Sequence, residues 1–302
     1  MAAVLRALTV GTIGLASKLF LNSGLCSVRV NGLETLKSAL DDHSRRSAGQ
    51  GVVTVCNHIS TLDDPLTWGI LPARYYLHAH TTRWALGASD IIFTNPIFRT
   101  FFNLGHTLET FRGTGIYQAS VNKAISQLNK GHWVHLFGEG KINQPHTYHK
   151  DVNGRALLPR FKWGVGRMLM ETKVPPLVIP MWITGFDQLM PEGRPFPNKY
   201  IPRIGARLTV TFGHPIPADE IRRALIVERN DGDVDASAVA KDPERLEGWL
   251  GDEAKAKGLL LDISADKEIY TSLIRQKVTA IIQRDVEALG RRVSGDSLQR
   301  EP

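Results

Sequence analysis

Cysteine is almost missing from this chain: Cys26 and Cys56 are the two among 302 residues. That scarcity excludes a disulfide framework and fits a compartment in which bridges are not needed. Zinc-finger spacing, a recognition-helix signature and an aromatic RNA-binding signature are all missing too. Nucleic acid is therefore the weaker partner for a chain of net charge +7 and isoelectric point near 9.5, and an anionic membrane surface the stronger. No G-x-S-x-G elbow occurs, which disfavours a serine hydrolase of that fold and Ser60 as a nucleophile. Acidic residues are missing before Glu34, and neither an internal repeat nor a low-complexity tract interrupts the chain. Hydrophobic content of 42% with 22% charged residues describes a globular protein.

What the chain does contain is the segment Asn57-His58-Ile59-Ser60-Thr61-Leu62-Asp63, placed directly after the apolar run Gly51–Cys56. Residues five apart on one continuous helix point well over 100° away from each other. His58 and Asp63 can meet only if the histidine ends a strand and the aspartate lies in the first turn beyond. An imidazole held by a carboxylate can take a proton from a hydroxyl, the core requirement of acyl transfer. The same residues also fit an S-x-x-D capping box, in which Asp63 only caps the helix it begins.

Three further segments follow. Gly105–Gly113 ends a strand-like stretch on Arg112, Trp133–Lys141 sets Glu139 between glycines after an apolar run, and Leu177–Trp182 is an apolar run broken by Pro180. That proline can mark an edge strand. Together with the histidine segment these resemble the four blocks of the glycerolipid acyltransferase superfamily, over roughly Ala7 to Pro217. Within it the closer likeness is to phospholipid–lysophospholipid transacylases that remodel cardiolipin. The carrying residues are Arg112-Gly113 leading into Gly115-Ile116-Tyr117-Gln118, Trp133-Val134-His135 before Gly138-Glu139-Gly140-Lys141, and Ala7-Leu8-Thr9-Val10-Gly11. One position departs from the pattern. Gly138 stands where the family has proline, which implies a looser turn.

The resemblance implies that His58 is the general base and Asp63 its orienter. It also implies substrate contacts from Arg112, Gly113, Glu139, Gly140 and Lys141. Arg112 would grip a head-group phosphate, because its planar fork suits that anion. Glu139 would accept a glycerol hydroxyl or orient Arg112. The implied substrates are phospholipids and lysophospholipids, cardiolipin and phosphatidylcholine among them, with transfer independent of coenzyme A and of any cofactor. An acyl-CoA-dependent lysophospholipid acyltransferase and a non-catalytic membrane scaffold stay open as alternatives. His132/His135 and His146/His149 repeat an H-x-x-H spacing but lack an acidic or thiolate partner at clear spacing, so no metal is expected.

Strand-like runs at 51–56, 106–111, 133–137, 177–183 and 206–212 alternate with helical stretches such as Tyr117–Asn129 and Phe161–Thr172. The expected fold is α/β: a single acyltransferase-like domain with a central mixed sheet flanked by helices. Residues 31–228 would form that domain and 1–30 a membrane-anchoring or targeting helix. Residues 229–258 would be an acidic insertion or loop, and 259–302 an amphipathic helix with a polar tail. The eleven uncharged residues from Ala7 to Ser17 are too few to cross a hydrocarbon core, which takes about 20 as a helix. Extending the stretch through Leu21 would bury Lys18 unless that side chain snorkels. Leu5, Leu8, Leu15 and Leu19 recur at helical spacing, so the segment is expected to lie in or dip into one leaflet. The resemblance implies mitochondrial membranes facing the intermembrane space, and an oligomer is possible.

Overall fold

A computed structural model describes residues 2–226, 247–257 and 264–299. Seven strands form its central sheet: β1 (Cys26–Asn31), β2 (Val52–Cys56), β3 (Trp84–Ala88), β4 (Thr107–Thr110), β5 (Trp133–Phe137), β6 (Leu177–Thr184) and β7 (Ala206–Phe212). Their order across the sheet is β1-β7-β6-β2-β5-β3-β4, with every neighbouring pair parallel except β6 and β7. The expected mixed sheet between helices is thus present. β2 and β5, the most central strands, are β-branched and aromatic along nearly their whole length and bury both faces, as parallel strands under helices require.

Alternation along the strands divides the interior in two. Val53, Val55, Val134 and Leu136 face one layer, closed by the helices Ala119–Leu128, Gly164–Met170 and Ser264–Ser294. Val52, Cys56, Trp133, Ile179 and Met181 face the other, closed by Leu33–Asp41, the short turns around Trp68–Tyr76 and the amino-terminal helix Ala2–Leu21. The long carboxy-terminal helix packs Ile274, Val278, Ile282 and Val286 fully into the first layer. Of the segment expected as an acidic insertion, 229–246 and 258 lie outside the described residues. Gly248–Ala256 forms a helix whose Trp249 and Leu250 are buried.

Pro180 does not mark an edge. It sits in β6, between β7 and β2, where a missing N–H would ordinarily break a ladder. The pairing with the returning chain explains the tolerance. Val178 pairs Ile216 while Met181 pairs Phe212, so three residues oppose two and the strand is bulged beside the proline. The Pro180 carbonyl still accepts from the Gly213 N–H at 2.8 Å.

The amino-terminal helix docks by close backbone approach rather than by a broad apolar stripe. A Cβ on Gly14 would lie 2.8 Å from the Tyr76 ring, and one on Gly69 would lie 2.7 Å from the Ser17 carbonyl carbon. Lys18 donates to the carbonyls of Gly69 and Leu71 at 3.3 and 3.0 Å, the second of which also accepts from the Tyr76 hydroxyl. Its charge is thereby met inside the protein, and the helix continues unbroken to Leu21. Ala3–Leu21 is consequently 19 residues with mean hydropathy 1.5, enough by length and composition to cross a membrane. The outward side chains stay bare: Leu8 is 61% exposed and Leu19 73%, beside Ile97 at 78% on the adjoining helix Pro96–Leu104.

Replacing Gly69 with leucine forces the helix off its seat. Gly69→Leu should lower stability by about 1–3 kcal/mol, read as a drop in the thermal unfolding midpoint. An unchanged midpoint would show that the helix is held from elsewhere.

Candidate active site

Register brings the site together. Cys56 pairs Phe137 in parallel strands, so the segments that follow leave the sheet side by side from the same end. Catalytic groups in open α/β sheets collect at that carboxyl end of the strands. His58 comes from the loop after β2, and Glu139 from the loop after β5.

Asp63 opens a short helical turn and points back beneath the loop. Its Oδ2 accepts from three donors: His58 Nδ1 at 2.8 Å, Ile59 N at 2.7 Å and Ser60 N at 2.9 Å. The carboxylate is fully buried, while the His58 side chain is 20% exposed. The helix that Asp63 begins has no side-chain cap, so this oxygen serves the preceding loop and the imidazole instead. Burial pushes the Asp63 carboxyl up, and the His58 contact and the two amides counter it. Behind the pair, Phe137 stacks on the His58 ring, centroids 4.0 Å apart and planes 18° from parallel. With Nδ1 tied to Asp63 and one face covered, Nε2 is the nitrogen left for a reacting hydroxyl. This arrangement can take a proton at Nε2 and return it, with Asp63 stabilising the charged ring in between.

Glu139, expected among substrate contacts, is 2% exposed and turned toward the histidine loop. Its Oε1 accepts from the His58 backbone N–H at 2.9 Å, and its Oε2 from Asn143 Nδ2. The Asn143 N–H in turn donates to the His58 carbonyl at 2.8 Å. Both backbone groups of His58 are thus held by the loop after β5. Burial lifts the Glu139 carboxyl to about 8, against the opposing pull of those two donors. Asn143 and Phe137 escaped sequence reasoning. Their roles depend on which backbone the loop meets, though Phe137 directly precedes the glycine-flanked glutamate.

Gly138 is not loose. Its N–H donates to the Cys56 carbonyl at 3.2 Å and its carbonyl accepts from Lys162 N at 2.8 Å, so a proline would forfeit the first bond. A Cβ there would also meet the Phe161 ring at 2.4 Å. Phe161 occupies the space of a side chain, and glycine answers it. Gly140 takes the left-handed conformation that closes this turn, at φ 69°, and Lys141 is exposed beyond it.

Arg112 follows β4 on the same rim as His58. Three strand spacings separate β2 from β4, about 14 Å at roughly 4.8 Å each. The guanidinium is 46% exposed and only loosely held, by Asp90 at 3.4 Å. Gly113 beside it adopts φ 78° with open space around it. Arg83, just before β3, forks onto the carboxylate of Asp64, which also accepts from Trp68 Nε1. Burial works against ionisation of Asp64, yet Arg83 holds its carboxyl below the usual range. His132 is bonded to Gln127 and His135 to Thr54.

The acyltransferase family profile matches residues 27–184, which contain every one of these groups. The chain belongs to the acyltransferase family. It is 36% identical to a protein named taffazin of Dictyostelium discoideum, over 69% of each chain. It is 35% identical to a tafazzin of Drosophila melanogaster, over 72% of this chain and 53% of that one. An N-acylphosphatidylethanolamine synthase of Arabidopsis thaliana is 38% identical over 63% of both chains. The chain spans 53% to 69% of the length of these three relatives. Membership of this family makes the chain an acyltransferase.

Two measurements probe the loop after β5. Restoring the family residue with Gly138→Pro should cost at least about 1 kcal/mol through the lost amide bond, seen as a lower unfolding midpoint. An equal or higher midpoint would mean that Phe161 moves aside freely. Glu139 gives a pH signature. A carboxyl whose folded pKa is raised contributes stability that is complete below its unfolded value and lost as pH rises through the folded one. The wild-type advantage over Glu139→Gln should accordingly shrink between pH 5 and about 8, followed by thermal unfolding across that range. A constant difference would show that the carboxyl does not titrate there.

Proposed function

We propose that this acyltransferase moves an acyl chain from a phospholipid to a lysophospholipid without coenzyme A, remodelling cardiolipin on mitochondrial membranes that face the intermembrane space. The observation that carries the mechanism is the His58–Asp63 bond at the carboxyl end of β2, with Nε2 as the free nitrogen. The relatives named tafazzin support the substrate class.

The lysolipid hydroxyl attacks the ester carbonyl of the donor while His58 Nε2 accepts its proton. The carbon–oxygen bond to the donor glycerol then breaks, and the same proton passes to the departing oxygen. Asp63 fixes the tautomer and balances the imidazolium that exists between the two steps. Arg112 holds a head-group phosphate from across the rim, with Gly113, Gly140 and Lys141 letting the lipid approach along the loops. Glu139 contributes by holding the His58 backbone. The exposed leucines of the amino-terminal helix and Ile97, Phe98 and Phe101 on its neighbour offer an apolar face to the bilayer, with the chain lying in one leaflet.

A second reading comes from the N-acylphosphatidylethanolamine synthase relative, whose name places the acyl group on nitrogen. The same base can deprotonate an amine.

Purified protein in liposomes with labelled phosphatidylcholine, lysocardiolipin and phosphatidylethanolamine separates these readings. Transfer to lysocardiolipin without coenzyme A is expected, and His58→Ala should lose at least ~10²-fold in rate. Transfer that requires acyl-CoA sinks the proposed donor. Product on phosphatidylethanolamine alone favours the second reading.

A further inference from the structure

The opposite end of the sheet carries a feature that acyl transfer does not use. The starts of β3, β4 and β5 open there onto a groove of about 720 Å³. Arg6, His78, His80, Lys123, Lys130 and His132 line it, and among the described residues no carboxylate does. They come from four separate stretches: the amino-terminal helix, the turn after Tyr76, the helix Ala119–Leu128 and the link into β5. Among the described residues, Arg6, Lys123 and Lys130 carry no ion pair.

Burial leads the downward shifts of His80, His106 and His132, and neighbouring basic groups add to them. Burial first, and then Arg46, His78, His132 and His43, pushes His80 down to about 4. His106 at the groove floor is held at about 4 by burial, with Arg83, Arg6 and His132 adding to it. The carbonyl end of Ala119–Leu128 would oppose an anion, but the N–H groups of Gly131 and His132 already cover the Leu128 and Gln127 carbonyls. A concave, positive and roomy surface with no acid of its own is matched to an anion of phosphate size or larger.

We propose that this groove is a second anion site, binding a phosphate group at the end of the sheet opposite His58 and Asp63. Arg6 places the groove beside the exposed leucines of the amino-terminal helix, within reach of lipid head groups at the bilayer surface. The phosphate can belong to such a lipid or be free in solution. The proposal stands independently of which acyl donor the enzyme uses.

The test compares full-length wild type, Lys123→Gln/Lys130→Gln and the charge-matched control Lys255→Gln/Lys257→Gln. Inorganic phosphate is titrated during thermal unfolding, and binding is measured to vesicles of phosphatidylcholine with and without phosphatidylglycerol. Phosphate should raise the midpoint of wild type and control but not of the groove variant. If the ligand is a lipid, the groove variant should also bind anionic vesicles more weakly, at ~5-fold per lysine and so about 25-fold in all, with neutral vesicles unaffected. Phosphate protection with unchanged vesicle binding assigns the site to free phosphate. The proposal fails if the groove variant matches wild type in both measurements, or if the control loses as much.

Discussion

A single carboxylate oxygen fixes the end of the sheet where the candidate site lies. Asp63 Oδ2 gathers the His58 ring and the amides of Ile59 and Ser60, and these three donors turn the chain sharply as it leaves β2. Two ordinary needs are met at once. The turn loses its unpaired amides, and the imidazole acquires a defined tautomer. The cost is a fully buried carboxylate whose Oδ1 has no hydrogen-bond partner. Such a group persists where the surroundings over-determine it, and here Glu139 and Asn143 brace the His58 backbone from the other side.

Much of this was legible in the sequence, for physical reasons that differ from place to place. β2, β5, β6 and β7 announced themselves because buried parallel and central strands need continuous β-branched and aromatic runs. β3 went unread because Trp84-Ala85-Leu86-Gly87-Ala88 lacks that enrichment. Its glycine is dictated from outside, since a Cβ on Gly87 would strike Ile92 and Thr107. β1, a short half-exposed edge strand, gave an equally weak signal. His58 and Asp63 were readable because their partnership is local, five residues long. Glu139 stood out in the sequence between its glycines, but its bond to the His58 amide did not, because that depends on a register between strands 81 residues apart. Pro180 misled for the same kind of reason: the bulge that excuses it belongs to the returning chain.

The amino-terminal helix shows how one contact can change a reading of length. Counted by charge, the segment stops at Lys18. Counted by what Lys18 touches, it does not, because the ammonium is spent on carbonyls of a neighbouring turn. The leucines expected on one side are those left exposed, and the seat itself is made by glycines, which carry no hydropathy signal. The face presented to lipid and the face presented to protein are therefore set by different residue types, one by bulk and the other by its absence.

Glu139 also alters what an arriving lipid experiences. A carboxyl lifted to about 8 by burial is uncharged in neutral surroundings. On the proposed reading, a phosphate drawn over the rim toward His58 meets the charge of Asp63 without that of Glu139 added to it. The loop that clamps the proposed base from below does so without adding to the repulsion an anionic substrate would have to overcome.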